Sequence, residues 1–347
     1  MGPTDIKIYK GIKYFITFSP EGDPFISITK NRNYSEKELI IPSYIDGIPV
    51  KTIGYNAFAE SEIEKLVVPD TIVSIGDSAF SHCVKLTDVT FGNGLRVISD
   101  FAFTSTSLKS FKAPPSLSTI GYRAFDKSAL EDIELNDGLH FLRAFAFTKN
   151  PISKIIIPDS VFACDEGVFD HCSQLKSIHI GENVKTLFHS NAPFLGCNSL
   201  SKISVSDKNN SLFTNNGLLY EIVGEYIYLL RVPSQINKPE IIVDKRASYA
   251  AQHAFNAVVP PDGISVFPIK IPNPSFEERF ANSFFTIEIS NIPKAKLFCP
   301  TGSPVYNAAK HRDFPVANIG SQMEAFFNET ETCVDLNTDI DSELECR

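Results

Sequence analysis

Phenylalanines recur down this 347-residue chain at a nearly fixed step: Phe58, Phe80, Phe103, Phe125, Phe147, Phe169 and Phe194, spaced by 22, 23, 22, 22, 22 and 25 residues. A second series, Ile63, Leu86, Leu108, Leu130, Ile152, Leu175 and Leu200, steps by 23, 22, 22, 22, 23 and 25. Two independent markers sharing one period mark a stacked-repeat solenoid. A unit this short cannot bury a core alone and must bury its apolar face on its neighbours.

Each unit contains apolar-x-x-apolar-x-apolar, as in Leu86, Val89, Phe91 and in Leu175, Ile178, Ile180. The alternation at the end predicts a short strand with one face inward. Stacked strands about 4.8 Å apart would turn the apolar positions into continuous ladders. Pro42, Pro69 and Pro158 follow these strands, where a missing backbone donor suits a chain leaving a sheet. Gly54, Gly76 and Gly121 are expected at sharp bends or positive φ. The Ala-Phe pair reads as a short helical turn with Phe pointing in. A chain with 28 Phe and no Trp fits a repeated core of stacked rings. Cys83, Cys172 and Cys197 share one repeat position and read as small buried hydrophobes.

The fullest copy, Val68 to Leu86, runs apolar-Pro, Ile-Gly, Ala-Phe, Cys, Leu, and resembles the BspA-like family of leucine-rich repeats. The resemblance covers Leu39 to about Val205, with weaker traces to Phe255 and around 286–311. It implies a right-handed, curved, β-rich leucine-rich-repeat array with short strands on the concave side and short helical turns or loops elsewhere. It also implies non-enzymatic binding, commonly at cell surfaces.

Around the repeats, the sequence predicts four further segments. Residues 1–34 form a capping β-hairpin, with strands in IKYFITF and FISIT. The regular repeats occupy 35–205. Residues 206–237 form an interruption with strands Leu218–Ile222 and Tyr226–Val232 about Gly224. Residues 238–320 are degenerate repeats and a C-terminal cap, irregular over 257–285, strand-like at Ile287, Ile289 and Ile292, and closed by a strand Ala295–Phe298 and a helix Tyr306–His311. Residues 321–347 carry eight acids and one base and are expected to lack fixed structure.

That tail accounts for −7 of the net charge of −9, so the body is nearly neutral and no nucleic-acid groove is expected. No apolar run is long enough for a membrane-spanning helix. The N-terminal MGPTDIKIYKGIKYF lacks the apolar core of a secretory signal, so the protein is either cytoplasmic or trimmed of its signal. The seven Cys suggest no disulfide framework beyond a pairing of Cys333 with Cys346.

No catalytic motif, cofactor loop or metal set is present, and the reading is of a non-enzyme without cofactors. His82 and His171 occupy equivalent positions four coils apart and read as surface residues. Cys164, Cys172 and His171 lack further ligands for zinc. The tail run from Asp335 to Cys346 misses the Gly and Glu of a calcium loop. Sequons occur at Asn33, Asn209 and Asn328. The candidate binding face consists of the outward strand residues Lys65, Asp88, Thr90, Ser110, Lys112, Asp132, Glu134, Lys154, Ser177, His179, Lys202 and Ser204, a mixed-charge ridge roughly 40 Å long. It suits a protein or glycan partner in adhesion or host contact at a cell surface. An intracellular scaffold with a regulatory acidic tail is the alternative, and an enzyme with its site in 206–290 a further one.

Overall fold

A computed structural model describes residues 5–31, 34–185, 187, 194–251, 253–265, 267–273, 275, 277–278, 291–301, 303–311 and 314–319. Over the described residues the chain winds as a β-solenoid of about nine turns, nearly all strand, with one short helix. The coils as far as Cys164 contribute to two walls. The first is the ladder of strands read from the sequence: Glu38–Ile40, Lys65–Val67, Asp88–Thr90, Ser110–Lys112, Asp132–Glu134, Lys154–Ile157, Ser177–Ile180 and Lys202–Val205. They pair in parallel in three stretches, with Leu66 opposite Val89, Phe111 opposite Ile133, and Ile155 opposite Ile178 and then Ile203.

The second wall is one the repeat pattern did not announce. The residues just before the Gly position form two-residue strands, Ser74–Ile75, Val97–Ile98, Thr119–Ile120, Phe141–Leu142 and Ala163–Cys164, that pair in parallel along the array. This wall continues through Ile48–Ile53 into Pro24–Ile28, Ile12–Phe18 and Lys7–Tyr9, which are antiparallel to one another. The N-terminal segment is therefore a three-stranded extension of the second wall, one strand more than the expected hairpin.

Between the walls the Phe rings stack. Phe58, Phe80, Phe103, Phe125, Phe147 and Phe169 lie in one column with centroids 5.3–5.8 Å apart and planes within 10° of parallel. All are buried. The segment bearing them is not the expected helical turn. Alternate amides reach the next coil, as Ser78 N–H to Asp100 O, Phe80 to Ala102 and His82 to Thr104, all 2.8 Å. The amides between them close single turns, Ala79 to Gly76 O and Ser81 to Ser78 O, both 3.1 Å. A helix would direct every amide back along its own chain; here half are shared between coils.

Two left-handed residues per coil make this corner possible. They fall two residues before the Phe (Asn56, Ser78, Phe101, Arg123, Phe145, Gly167) and two after it (Glu60, His82, Ser105, Lys127, Lys149, His171, Gly196), with φ of 50 to 74°. Of the two expectations for Gly54, Gly76 and Gly121, a sharp bend or positive φ, the second does not hold. Their role is steric, since a Cβ would meet Ile28 O at 2.6 Å, Ile53 O at 2.9 Å and Ser99 C at 2.5 Å.

The Cys position is buried in the core, as expected, and also donates hydrogen bonds. Cys83 Sγ donates to Phe58 O (3.1 Å), Ser128 Oγ to Phe103 O (2.6 Å), Asn150 Nδ2 to Phe125 O (2.7 Å), Cys172 Sγ to Phe147 O (3.3 Å) and Cys197 Sγ to Phe169 O (3.2 Å). This is a column of buried donors that engages Phe carbonyls one coil back.

After Lys202–Val205, Asn209 turns the chain. Its Nδ2 donates to Gly181 O and Val184 O (2.9 and 3.0 Å), and its Oδ1 accepts from Ser211 and Leu212 amides (2.9 and 2.8 Å). A meander follows: Leu212–Asn215, Leu218–Val223 and Tyr226–Arg231, antiparallel, with the last strand parallel to Ala247–Ala250. Leu219, Tyr228 and Leu230 join the main core, while Leu218, Tyr220 and Leu229 join a second one. Beyond it the array resumes as Ile241–Ile242, Phe267–Lys270, Ala295–Cys299 and Val316–Asn318 in one parallel sheet. The stretch expected to be irregular thus contains ladder strands. The helix is Pro304–Lys310, capped by Ser303 Oγ on Tyr306 N–H (3.2 Å). The expectations for Ile287, Ile289 and residues 321–347 lie outside the described residues.

Candidate functional site

The first wall positions the candidate face. Its period-2 alternation turns Leu66, Phe111, Ile133, Ile155, Ile178 and Ile203 into the core and the residues between them outward. Lys65, Asp88, Thr90, Ser110, Lys112, Asp132, Glu134, Lys154 and Lys202 are exposed; Ser177, His179 and Ser204 are half-buried. Register aligns them: Lys65 opposite Asp88, Ser110 opposite Asp132, Lys112 opposite Glu134, Lys154 opposite Ser177 and then Lys202, and His179 opposite Ser204.

Opposite charges meet along this ladder. Lys112 Nζ lies 2.9 Å from Glu134, and Lys65 lies 3.2 Å from Glu38 in the preceding coil. Beside them run Lys37–Glu64 at 2.7 Å, Lys109–Glu131 at 3.6 Å, and Lys85–Glu62. The Lys37 ammonium holds the Glu64 carboxyl below its ordinary range, and Glu62 raises Lys85. Exposed pairs contribute only about 0.2–1 kcal/mol each, so they order the surface more than they stabilise it. His179 Nδ1 and Ser204 Oγ share a 3.0 Å hydrogen bond. Glu38 and Ile40 open the same two rows, and the sequence reading omitted them although Leu39 between them marks the coil.

Among the described residues, the buried titratable groups are held by packing and structural hydrogen bonds. Burial pushes Cys164 and Cys197 up to about 12 and Cys172 higher, far from thiolate nucleophiles. Asp170 is raised by burial to about 6, opposed by an amide hydrogen bond from Leu195 and by Arg231. Arg231 is fully buried and donates to His253 O (3.1 Å) and Ser234 Oγ (3.0 Å). Cys164 lies on the second wall and Cys172 in the donor column, so the two do not share a site. Among the described residues no group of three or more His, Cys, Asp or Glu side chains is arranged to hold a metal, and no helix is long and apolar enough to cross a membrane. The Asn209 sequon is occupied by the four hydrogen bonds that turn the chain.

The family model of BspA-type leucine-rich repeat regions matches this sequence in six copies, over residues 51–140 and 96–218. Among solved structures, a leucine-rich cell surface protein of Faecalibacterium prausnitzii is similar over 93% of this chain and 97% of its own, with 18% identity and a TM-score of 0.53. The pneumococcal vaccine antigen PcpA is similar over 92% and 100%, with 16% identity and a TM-score of 0.50. At these identities the likeness is one of fold. No curated protein matches the chain.

Proposed function

Because residues 51–218 are a BspA-type leucine-rich repeat region, we propose that this protein is a non-enzymatic binding scaffold whose first wall receives a protein or glycan partner at a cell surface. One observation carries the reading: on three in-register stretches of the first wall, Lys65 and Asp88, then Ser110 and Asp132, then Lys154, Ser177 and Lys202 face outward, with Thr90, Lys112, Glu134, His179 and Ser204 beside them. A rigid row costs little ordering entropy on binding. Its mixed charge suits a partner of mixed charge better than a polyanion. Two structural relatives support the surface placement only by likeness of fold, one of them described as a cell surface protein.

The test is protease treatment of intact source cells, with a cytosolic protein as control. Loss of this protein while the control survives supports the surface reading, after which matrix proteins and glycans are assayed against Lys112→Ala/Glu134→Ala and Lys154→Ala variants. Full protection overturns the surface placement and directs the search to intracellular partners.

A further inference from the structure

The second wall has an open edge at its N-terminal end. Among the described residues, Lys7–Tyr9 is the outermost strand of its ten-stranded sheet and pairs on one side alone, with Ile12–Phe18. The turn between them decides which backbone groups are engaged. Lys10 and Gly11 carry φ of 45° and 80°, the left-handed pair of a two-residue hairpin turn. Tyr9 opposite Ile12 is then a hydrogen-bonded pair, and Ile8 opposite Lys13 is not. Lys7 and Tyr9 therefore direct their amides and carbonyls to the neighbouring strand, and Ile6 and Ile8 direct theirs to the open edge.

The side chains of this edge are of two kinds. Lys7 and Tyr9 stand opposite the buried Tyr14 and Ile12, on the core side of the sheet. Ile6 and Ile8 alternate onto the outer side, 55% and 66% exposed. Asp5 falls on the same side as Lys7, two residues away, and both are exposed. Among the described residues no ion pair engages either of them. Edge strands of soluble proteins are guarded against pairing by charge, by proline or by a covering segment. Lys7 alone would be such a guard. Asp5 beside it removes the guard for one partner in particular.

That partner is a strand of the same sequence. Two antiparallel strands related by a two-fold axis normal to the sheet keep like sides together. Centred on Ile6, whose amide and carbonyl face the open edge, such a pairing sets Asp5 of each copy directly opposite Lys7 of the other. On the outer side Ile6 meets its own copy, with Ile8 diagonal to it. Cross-strand pairs of opposite charge and of β-branched residues both favour this register. The edge lies at one extremity of the sheet, so two arrays joined there run away from the seam and their coils do not collide. We propose that this edge is a self-association site: two copies of the chain pair antiparallel through Asp5–Tyr9 and join their second walls into one continuous sheet. The contact is small beside the roughly 1,200–2,000 Å² of a standard interface, which makes the dimer concentration-dependent. The two-fold axis turns both first walls to the same side, as a bivalent face. That consequence rests on the binding role proposed above; the pairing itself does not.

Sedimentation equilibrium of the full chain over a range of concentrations reads the association. The expected result is a reversible monomer–dimer equilibrium. Asp5→Lys and Lys7→Asp should each weaken it about tenfold or more, because like charges then face each other twice across the seam. Mixed in equal amounts, the two variants should form a heterodimer, since each substituted position then faces an opposite charge. The double variant Asp5→Lys/Lys7→Asp should dimerise like the parent. Ile6→Pro removes an amide that points away from the hairpin, so it should abolish the dimer and leave the monomer folded. All these positions are exposed, and circular dichroism checks that each variant keeps the parent fold. A monomer at every concentration, a dimer indifferent to the charge variants, or single variants that fail to associate when mixed would each overturn the proposal. Open-ended polymers would overturn the two-fold pairing. Protection of the protein on intact cells would overturn the surface reading and leave these outcomes unaffected.

Discussion

Ser128 Oγ donates a 2.6 Å hydrogen bond to the carbonyl of Phe103, a full coil earlier in the chain. Both residues are buried, and the same place is taken by Cys83, Asn150, Cys172 and Cys197 in other coils. Thr106 Oγ1 also donates to Phe103 O, at 3.1 Å, so deleting the Ser128 donor removes one of two hydrogen bonds without orphaning the acceptor, at a cost of about 0.5–1.5 kcal/mol. Ser128→Ala should therefore destabilise by that amount in urea denaturation. Ser128→Cys should stay closer to the parent, because the column already accepts thiols.

Phe125 is fully buried between Phe103 and Phe147, 5.3 and 5.4 Å away. Phe125→Ala should cost about 3–5 kcal/mol, the range for a large aromatic cavity. A loss below about 1 kcal/mol in thermal or chemical unfolding would contradict the stacked column.

Lys127 is exposed and left-handed, with φ of 58°. A β-branched side chain disfavours that conformation more than Lys does, whereas Gly adopts it freely. Lys127→Ile should lower stability by about 1–2 kcal/mol, and Lys127→Gly should leave it unchanged or slightly raised. The equivalent Gly196 already occupies the position two coils past the Lys149 coil.

Cys83, Cys164, Cys172, Cys197 and Cys299 are buried, and burial raises every one of their thiols, Cys299 to about 11. At pH 8 they are protonated and shielded. Mass spectrometry after brief iodoacetamide treatment should find these five unmodified in the native protein and alkylated in guanidinium. Fast native labelling of any of them would show that its coil opens.

The solenoid, its period and the inward Phe column were legible because burial repeats: each coil must present the same apolar residues to the same neighbours. The second wall was not, since strands as short as Ser74–Ile75 leave no alternation to read. The left-handed corners were hidden for another reason. Ser78, Phe101 and Arg123 share no side-chain chemistry, and the inter-coil hydrogen bonds that hold them are made by backbone. The burial of the Cys position was legible but its donor role was not, because Cys alone looks apolar; Ser128 and Asn150 at the same step carried the missing signal. The outward residues of the first wall followed directly from its period. The Arg123–Phe145 contact did not, because it joins residues 22 apart that meet only once the second wall exists.

The meander at Leu212–Arg231 has one face in each of the two cores, Leu219 and Tyr228 in one, Leu218 and Tyr220 in the other. Under mechanical load, an end coil gives way by losing contact with a single neighbour, so tension applied through the termini should peel the array progressively from its ends. At the meander a single sheet must be torn from both sides together. That sheet is a rip-stop: a tear begun in either half ends there, and the other half keeps its shape.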